Sequence, residues 1–321
     1  MARKLKGRQI VGKGLKGALQ HHIVKEKFQQ ERQKSLTLEK ERRENKSKSI
    51  KGGGKQKKQH QPQQQRTFIP FDQKDTLLLV GEGDFSFACS IVRQALIDPA
   101  NLIATSYDSK DELIEKYPTV EDNLKYLHDE GVQVIHDVDA TNMVHSFKLP
   151  TNAKKGSAKL FTPHKKLNYI MFNFPHTGRG MKDMDRNVRD HQKLVLGYFK
   201  SAKQLLSLVN DDTKNALGGY EDIQPNNNQK IILSLFEGEP YISWGVKALA
   251  RSEDYQVERS GAFNWGAFEG YHHKRTNGIR DTTKPAAERD ARIYVFNKAL
   301  TKEEREQEAK KKKSKDSDDE D

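Results

Sequence analysis

The sequence of 321 residues has few of the features that stabilise proteins outside the cell or in a membrane. Cys89 is its single cysteine, which excludes an intrachain disulfide and suits a reducing compartment. No apolar run approaches the roughly 18 residues needed to span a bilayer, and no apolar signal core lies near the N-terminus. These absences exclude the disulfide-rich secreted class, and we expect no membrane partner.

Hydrophobic residues are also scarce, at 34% of the chain, which indicates that part of the chain lacks a packed core. Positive charge is concentrated in residues 1–66, which hold 20 Lys and Arg against 5 Asp and Glu, whereas the whole chain has a net charge of +12. We predict a basic, largely disordered arm (1–66), a folded domain (67–300) and a charged disordered tail (301–321). Such an arm is typical of nucleic-acid binding, although a tail that only aids solubility is the alternative.

From residue 67 onward, apolar strand candidates alternate with helical stretches. The predicted strands are Thr76–Val80, Leu102–Tyr107, Val132–Asp137, Asn168–Phe174, Lys230–Phe236 and Arg292–Phe296. The predicted helices are Phe85–Leu96, Lys110–Asp129 with a break near Pro118, Asp183–Val209 and Ile242–Ser252. This alternation predicts an α/β fold with a mostly parallel sheet covered on both faces, plus a late antiparallel hairpin between residues 255 and 296. The polar stretches 148–166 and 211–229 are expected to be surface insertions.

The first predicted strand runs into a Gly-x-Gly turn, in which glycine lets backbone N–H groups approach a ligand. Ser86 replaces the third glycine of the dinucleotide fingerprint, and the acids Glu82 and Asp84 would repel a pyrophosphate. We therefore predict S-adenosylmethionine, whose ammonium group suits these acids, rather than NAD or ATP. An ordinary strand–turn–helix corner is the alternative. The predicted cofactor loop comprises Gly81, Glu82, Gly83, Asp84, Phe85 and Ser86.

Acidic residues follow the next two predicted strands, at the edge where ligands of open α/β sheets bind. Asp108 lies 25 positions after Gly83, near the spacing of a carboxylate that accepts hydrogen bonds from both ribose hydroxyls. Asp139, with Asp137 as the second choice, is predicted to accept a hydrogen bond from the adenine amino group. Helix capping is the alternative for these acids.

The fourth predicted strand ends in the sequence Asn173-Phe174-Pro175-His176, which we predict to be the catalytic group. Asn173 offers a donor and an acceptor to the imide edge of a base, while Phe174 or His176 would stack on it. Pro175 fixes the turn. His176 is also the candidate proton acceptor, with Asp84 or Glu239 behind it. The segment is similar to the Asn/Asp-Pro-Pro-aromatic loop of methyltransferases that act on base nitrogens, except that Phe174 replaces a proline; a simple strand-ending turn is the alternative.

Basic residues further along the chain are expected to contact phosphate or RNA. Two adjacent histidines stand beside Lys and Arg, and another lysine precedes the last predicted strand. We predict no metal site, because no cysteine or suitably spaced acid completes a ligand set around the histidines. The predicted RNA-binding residues are His272, His273, Arg275 and Lys284.

Four motifs together resemble the Bmt5-like family, the fungal nucleolar uridine-N3 methyltransferases of large-subunit (25S) ribosomal RNA. The motifs are Gly81–Phe87, Asn173–His176, Leu233–Tyr241 and Gly270–Thr276, and the resemblance extends loosely over about residues 1–300.

This resemblance implies a Rossmann-like class I S-adenosylmethionine-dependent methyltransferase that acts on N3 of a uridine in 25S ribosomal RNA. It also implies a role in ribosome biogenesis, with ribosomal RNA or a pre-ribosomal particle as partner and a location in the nucleus and nucleolus. We expect a monomer. The alternative is a catalytically inactive RNA-binding ribosome-assembly factor with the same fold. An NAD-dependent enzyme is disfavoured by Glu82, Asp84 and Ser86.

Overall fold

The computed structural model describes residues 67–150, 158–161, 165–181, 183–210, 229–274 and 289–299. All of them belong to one of the two units into which the chain divides, Arg66–Asp321. The predicted basic arm and charged tail lie outside the described residues, as does most of each predicted insertion.

In the described residues, seven strands form one mostly parallel sheet. They are β1 (Leu77–Val80), β2 (Leu102–Thr105), β3 (Gln133–Ile135), β4 (Tyr169–Asn173), β5 (Lys230–Phe236), β6 (Tyr255–Ala262) and β7 (Ala291–Lys298). The order across the sheet is β3-β2-β1-β4-β5-β7-β6, and β7 alone runs antiparallel to its neighbours. The β6–β7 pair is the predicted late hairpin. This arrangement confirms the predicted α/β fold with a mostly parallel, Rossmann-like sheet and a late antiparallel hairpin.

Six α-helices connect and cover these strands in the same part of the chain. They are α1 (Ser86–Arg93), α2 (Lys110–Lys116), α3 (Val120–Asp129), α4 (Met143–Ser146), α5 (Met184–Asn210) and α6 (Val246–Ser252). Pro118 separates α2 from α3, as predicted, because proline has no N–H to continue a helix. The short helix α4 was not predicted, since four residues show no helical period. None of these helices combines the length and the apolar character needed to cross a membrane.

Each face of the sheet has its own hydrophobic cluster. In β1, Leu77 and Leu79 belong to the cluster that includes α1 and α3, whereas Leu78 and Val80 belong to the cluster that includes α4, α5 and α6. All four side chains are buried, because a parallel strand covered on both sides has no face in contact with solvent. This explains why the strands read as continuous apolar runs in the sequence.

The order of the strands reverses between β1 and β4. The chain first builds β2 and β3 on one side of β1, and then returns to place β4 on the other side. The loops after β1 and β4 therefore diverge at the carboxyl edge of the sheet, which is the position where open α/β sheets bind ligands.

Candidate active site

A cleft of about 1320 Å³ opens at this carboxyl edge. The ends of β1 to β5 and the segment after β6 contribute to its walls. Its lining includes all four predicted catalytic residues, the predicted cofactor residues apart from Phe85 and Ser86, and both predicted histidines, His272 and His273. Arg275 and Lys284 lie outside the described residues. The fold thus brings most of the predicted site residues into one cavity, while their roles stay predictions.

The backbone of the glycine turn packs closely against its neighbours. Gly81 has a φ of +72°, and a Cβ atom there would lie 2.5 Å from the ring of Phe172. A Cβ atom at Gly83 would lie 3.2 Å from the hydroxyl of Tyr117. The N–H of Glu82 donates to the carbonyl of Thr105 at 2.8 Å, which ties the turn to β2. Gly81 in particular is needed for this approach, since a side chain would meet both strain and a clash.

Two acidic side chains lie next to each other in this turn. Oδ1 of Asp84 accepts hydrogen bonds from the N–H and the hydroxyl of Ser86, at 3.0 and 2.6 Å. Oε2 of Glu82 accepts one from the N–H of Ala88 at 3.3 Å. Burial, together with the nearby Asp84 carboxylate, raises the pKa of Glu82 to about 8. Among the described residues, no Lys or Arg forms an ion pair with Glu82 or Asp84. A cationic ligand would therefore relieve the repulsion between the two carboxylates.

Phe85 and Ser86 support the turn from behind instead of lining the cleft. Phe85 is buried, has a φ of +60° and meets the ring of His136 edge-on at 5.9 Å. The hydroxyl of Ser86 lies 3.3 Å from both the backbone N–H and the carbonyl oxygen of His272. These contacts hold the shape of the turn and link it to the segment after β6.

Asp108 lines the cleft after β2 and is not a helix cap. Ser109 caps α2, whereas Asp108 accepts a 2.7 Å ion-pair hydrogen bond from Lys116. The neighbouring Tyr107 also lines the cleft and is 69% exposed. Sequence reasoning missed Tyr107, although an aromatic residue directly before an acid at a strand end was an available signal.

Asp139 lines the same part of the cleft after β3. Its Oδ1 accepts hydrogen bonds from the N–H and the hydroxyl of Thr141, both at 2.7 Å. The carboxylate therefore shapes its own loop as well as facing the cavity. The second choice, Asp137, is exposed and does not line the cleft.

Asn173 presents an unsatisfied amide at the end of β4. Its Oδ1 accepts a 2.7 Å hydrogen bond from Ser234, a fully buried residue of β5. Its Nδ2 is buried and has no hydrogen-bond partner among the described residues. A buried donor without a partner costs roughly 1–3 kcal/mol, so a ligand that brings an acceptor to this position is favoured. The carbonyl oxygen of a planar base is an acceptor of this kind.

Phe174 packs within a cluster of rings, and Pro175 beside it is also buried. The Phe174 ring stacks on Phe236 with a centroid distance of 4.5 Å, and lies nearly parallel to Trp265 at 5.5 Å. Only 7% of Phe174 is exposed. The ring therefore offers little free surface to a base, and its stacking on a base stays a prediction.

His176 is exposed at the mouth of the same loop. Its Nδ1 accepts a 2.9 Å hydrogen bond from the backbone N–H of Gly178. The neutral ring therefore carries its proton on Nε2, where it donates and cannot accept. This geometry argues against His176 as the proton acceptor, but it leaves His176 able to donate to a ligand oxygen.

His191 of α5 holds this loop in place, and sequence reasoning missed it. It is 1% exposed, and its ring stacks on Trp244 at 4.5 Å. Its Nδ1 lies 2.8 Å from the carbonyl of Asn187, and its Nε2 accepts from the N–H of Thr177 at 3.4 Å. No sequence pattern reveals this role, because it depends on how α5 packs against the loop after β4.

The other end of the cleft carries basic and aromatic side chains. The guanidinium of Arg289 lies 4.0 Å above the ring of Phe236. Nδ1 of His273 lies 3.1 Å from the hydroxyl of Tyr271. Burial, followed by the charges of Arg289 and His176, lowers the pKa of His273 to about 4. His273 is therefore neutral at physiological pH.

The donor set of the cleft fits S-adenosylmethionine. Carboxylates face the cavity at the positions expected for the ribose and adenine, and the backbone of the glycine turn lies beside two acids suited to an ammonium group. The described residues contain no group of three or more His, Cys, Asp or Glu side chains placed to hold a metal ion.

Comparison with known proteins identifies relatives over most of the chain. A family model described as BMT5-like, rRNA (uridine-N3-)-methyltransferase, matches residues 78–275. The 25S rRNA (uridine(2634)-N(3))-methyltransferase of Saccharomyces cerevisiae is 43% identical over 323 residues, which cover 94% of this chain and 95% of that protein. An uncharacterized protein of Arabidopsis thaliana is 28% identical over 70% of this chain and 92% of its own length.

Similarity to solved structures is weaker. A putative methyltransferase from Thermoplasma acidophilum aligns with a TM-score of 0.35 and 12% identity, covering 71% of this chain and 70% of that chain. The fold assignment therefore rests on the strand order of the sheet.

Proposed function

Because this chain belongs to the BMT5-like family of rRNA (uridine-N3-)-methyltransferases, we propose that it transfers a methyl group from S-adenosylmethionine to N3 of a uridine in large-subunit (25S) ribosomal RNA. The observation that carries the proposal is the buried, unpartnered Nδ2 of Asn173 at the point where the strand order reverses. That donor suits a uracil carbonyl beside the reacting nitrogen.

The acidic side chains around the glycine turn bind the cofactor in this proposal. Asp108 accepts hydrogen bonds from the ribose hydroxyls, and Asp139 accepts one from the adenine amino group. Glu82 and Asp84 attract the ammonium group of the methionine part. When bound, S-adenosylmethionine supplies an electrophilic methyl group on a positively charged sulfur.

The aromatic and basic side chains receive the target base. N3 of uracil lies on the base-pairing edge, so the uridine must be unpaired or flipped out before it enters the cleft. In this proposal Asn173 donates to one uracil carbonyl, and His176 contacts the RNA. Much of the rate enhancement then comes from holding N3 in line with the methyl group.

Contacts to the RNA backbone come from cations at the rim. Lys193, Lys274 and Arg289 line the cleft and are exposed. The basic residues 1–66 add affinity that falls as the salt concentration rises. We extend the proposal to action as a monomer on ribosomal RNA or a pre-ribosomal particle, in the nucleus and nucleolus.

Methylation of defined RNA tests the proposal. The full-length protein is incubated with methyl-labelled S-adenosylmethionine and with 25S rRNA transcribed in vitro, and the modified nucleotides are mapped by mass spectrometry. We expect 3-methyluridine at a single site. A methylated base other than uridine, or a methyl group elsewhere on uridine, would contradict the proposal. RNA binding without any transfer would support the inactive assembly factor instead.

A further inference from the structure

Three histidines cluster around the end of β4, and their hydrogen bonds define which nitrogen of each ring can accept a proton. His176 receives a backbone N–H on Nδ1. His191 receives one on Nε2 and faces a carbonyl with Nδ1. A backbone N–H only donates and a carbonyl only accepts, so the tautomers of both rings are fixed. The acceptor nitrogen of each is already used within the protein.

His273 differs because its partner is a hydroxyl. Nδ1 of His273 lies 3.1 Å from the hydroxyl of Tyr271, which is able to donate or to accept. With the proton on Nδ1, the phenol oxygen accepts it and Nε2 keeps a lone pair. Burial holds the pKa of Tyr271 well above its ordinary value, so this partner stays a neutral phenol.

Aromatic rings hold His273 at the wall of the cleft. Its ring meets Phe174 at 4.8 Å and Phe236 at 5.3 Å, at interplanar angles of 63° and 76°. Phe174 follows Asn173 directly in the chain, and the proposed base-binding amide and this imidazole line the same cleft. The ring is therefore held by its neighbours, uncharged, and in the cleft proposed to receive the uracil.

Burial, and after it the nearby charges, keep the His273 imidazole neutral. Burial is the largest cause of its low pKa, Arg289 and His176 lower that pKa further, and Lys274 is its neighbour in the chain. Phosphates of bound RNA would offset the charge of Arg289, which removes one of the causes that lower the pKa of His273. A rise of the pKa in this direction strengthens a general base, since proton transfer is more effective when the pKa of the base lies closer to the working pH.

We propose that His273 is the catalytic proton acceptor of this site, with Nε2 taking the proton from N3 of the target uridine; this inference rests on the proposed function. The proton moves to Nε2 as N3 bonds to the methyl carbon. The electron pair of the broken N–H bond stays on the uracil, and the pair of the former S–C bond stays on sulfur. The His273 imidazolium then gives its proton to water.

Replacement of the imidazole provides the main test. In single-turnover methylation of transcribed 25S rRNA, His273→Gln should lose about 10²–10⁴-fold in rate, the usual contribution of a general base. Binding of S-adenosylmethionine by calorimetry should be unchanged. His128→Gln is the matched control, because His128 is an exposed histidine of α3 outside the cleft. A rate for His273→Gln within a few-fold of wild type would overturn the proposal.

Two further measurements separate proton transfer from a structural role. The rate of His273→Gln should rise about tenfold per pH unit below the pKa of the imide, because hydroxide must replace the missing base. The wild-type rate should change little at pH values above the pKa of His273. Transcripts with 5-fluorouridine, whose N3 is more acidic, should partly restore this variant. A variant that is slow but has the wild-type pH profile, and is not rescued, would show a structural role and overturn the proposal.

A readout on the free protein does not depend on activity. Selective ¹⁵N-histidine NMR should show His273 neutral at pH 7 with its proton on Nδ1; a proton found on Nε2 would overturn the inference. Tyr271→Phe keeps the ring but removes the hydroxyl, and should lose this tautomer preference and about tenfold in rate. If the wild-type protein forms no methyluridine, the proposed function fails. If the wild-type protein forms methyluridine and His273→Gln is equally active, only this inference fails.

Discussion

The two ends of the cleft are made from the same sheet edge but have opposite chemistry. The acidic end follows β1, β2 and β3 and comprises Glu82, Asp84, Asp108 and Asp139. The aromatic end follows β4, β5 and β6 and comprises Asn173, Phe174, Phe236, Tyr241, His273 and Arg289. One end is suited to a small cation, whereas the other is suited to a flat base on an anionic strand.

This difference follows from how each end is built. The acidic end is held by the tight glycine turn, where Gly81 approaches Phe172 too closely for any side chain. The aromatic end is held by ring contacts between elements distant in sequence, such as Phe174 and Trp265. Ser86 and His272 link the two ends, but the side chains proposed to contact each ligand lie on different loops. A substitution of one of those side chains should therefore spare the ligand of the other end.

Asn173→Ala should have the largest effect of the changes considered for this comparison. Removing a donor that acts on the reacting base is expected to reduce methyl transfer by about 10²–10³-fold. The affinity for S-adenosylmethionine, measured by calorimetry, should stay at the wild-type value. Asn173→Asp is the matched variant, because it keeps the shape and the acceptor for Ser234 but loses Nδ2.

Equal activity of Asn173→Asp and wild type would contradict the role of the amide as a donor. If Asn173→Ala lost cofactor affinity by as large a factor as it lost methyl transfer, the two ends of the cleft would not bind their ligands independently.

Asp108→Ala tests the acidic end. Loss of hydrogen bonds to a charged acceptor costs about 1.5–3 kcal/mol, so the affinity for S-adenosylmethionine should fall about 10- to 100-fold. RNA binding should not change. Asp137→Ala is the control, since Asp137 also follows a strand of the acidic end but does not line the cleft. If both variants bound the cofactor as the wild type does, the ribose assignment would be wrong.

The sequence was sufficient to predict which strand ends line the cleft. Apolar runs mark the strands, and the order of strands and helices places the ends of parallel strands at one edge. Asp108, Asp139 and Asn173 were chosen on that basis, and all three line the cleft. The interruption at Pro118 was also predictable, since it depends only on the chemistry of proline.

Hydrogen-bond partners were not predictable from the sequence. The backbone N–H of Gly178 decides that Nδ1 of His176 is occupied, and the Tyr271 hydroxyl decides that His273 keeps a choice of tautomer. Likewise, His191 reaches the loop after β4 only because α5 packs there. Such details require the positions of loops and helices, for which periodicity carries no signal.

Glu82→Gln tests the repulsion between the Glu82 and Asp84 carboxylates, through the pH dependence of cofactor binding. The pKa of Glu82 is about 8, and a cationic ligand binds best to its ionised form. Wild-type affinity for S-adenosylmethionine should therefore rise several-fold between about pH 6 and pH 8, with release of protons detectable by calorimetry in different buffers. Glu82→Gln should remove this dependence, and a persistent rise in the variant would contradict it.

The same shift affects the stability of the ligand-free protein. Folding raises the pKa of Glu82 above the ordinary value of 4.5, so the native state binds more protons than the unfolded state between about pH 4.5 and pH 8. Stability due to this group falls as the pH rises through that range. At about pH 8, Glu82→Gln should be more stable than wild type by at least about 1 kcal/mol, measured by urea unfolding.

Arg289→Met should have the smallest effect and should concern the aromatic end alone. The Arg289 guanidinium lies over Phe236 and is exposed to approaching RNA. Its loss should weaken binding of a 25S rRNA fragment about 2- to 5-fold. A plot of the logarithm of the binding constant against the logarithm of the salt concentration should become less steep by about 0.7–0.9, the contribution of one phosphate contact. Arg251→Met is the control, as Arg251 is exposed on α6 outside the cleft. An equal change in this slope for both variants would mean that RNA contacts the protein well beyond the cleft. The difference in charge between the two ends of the cleft would then not determine where the RNA binds.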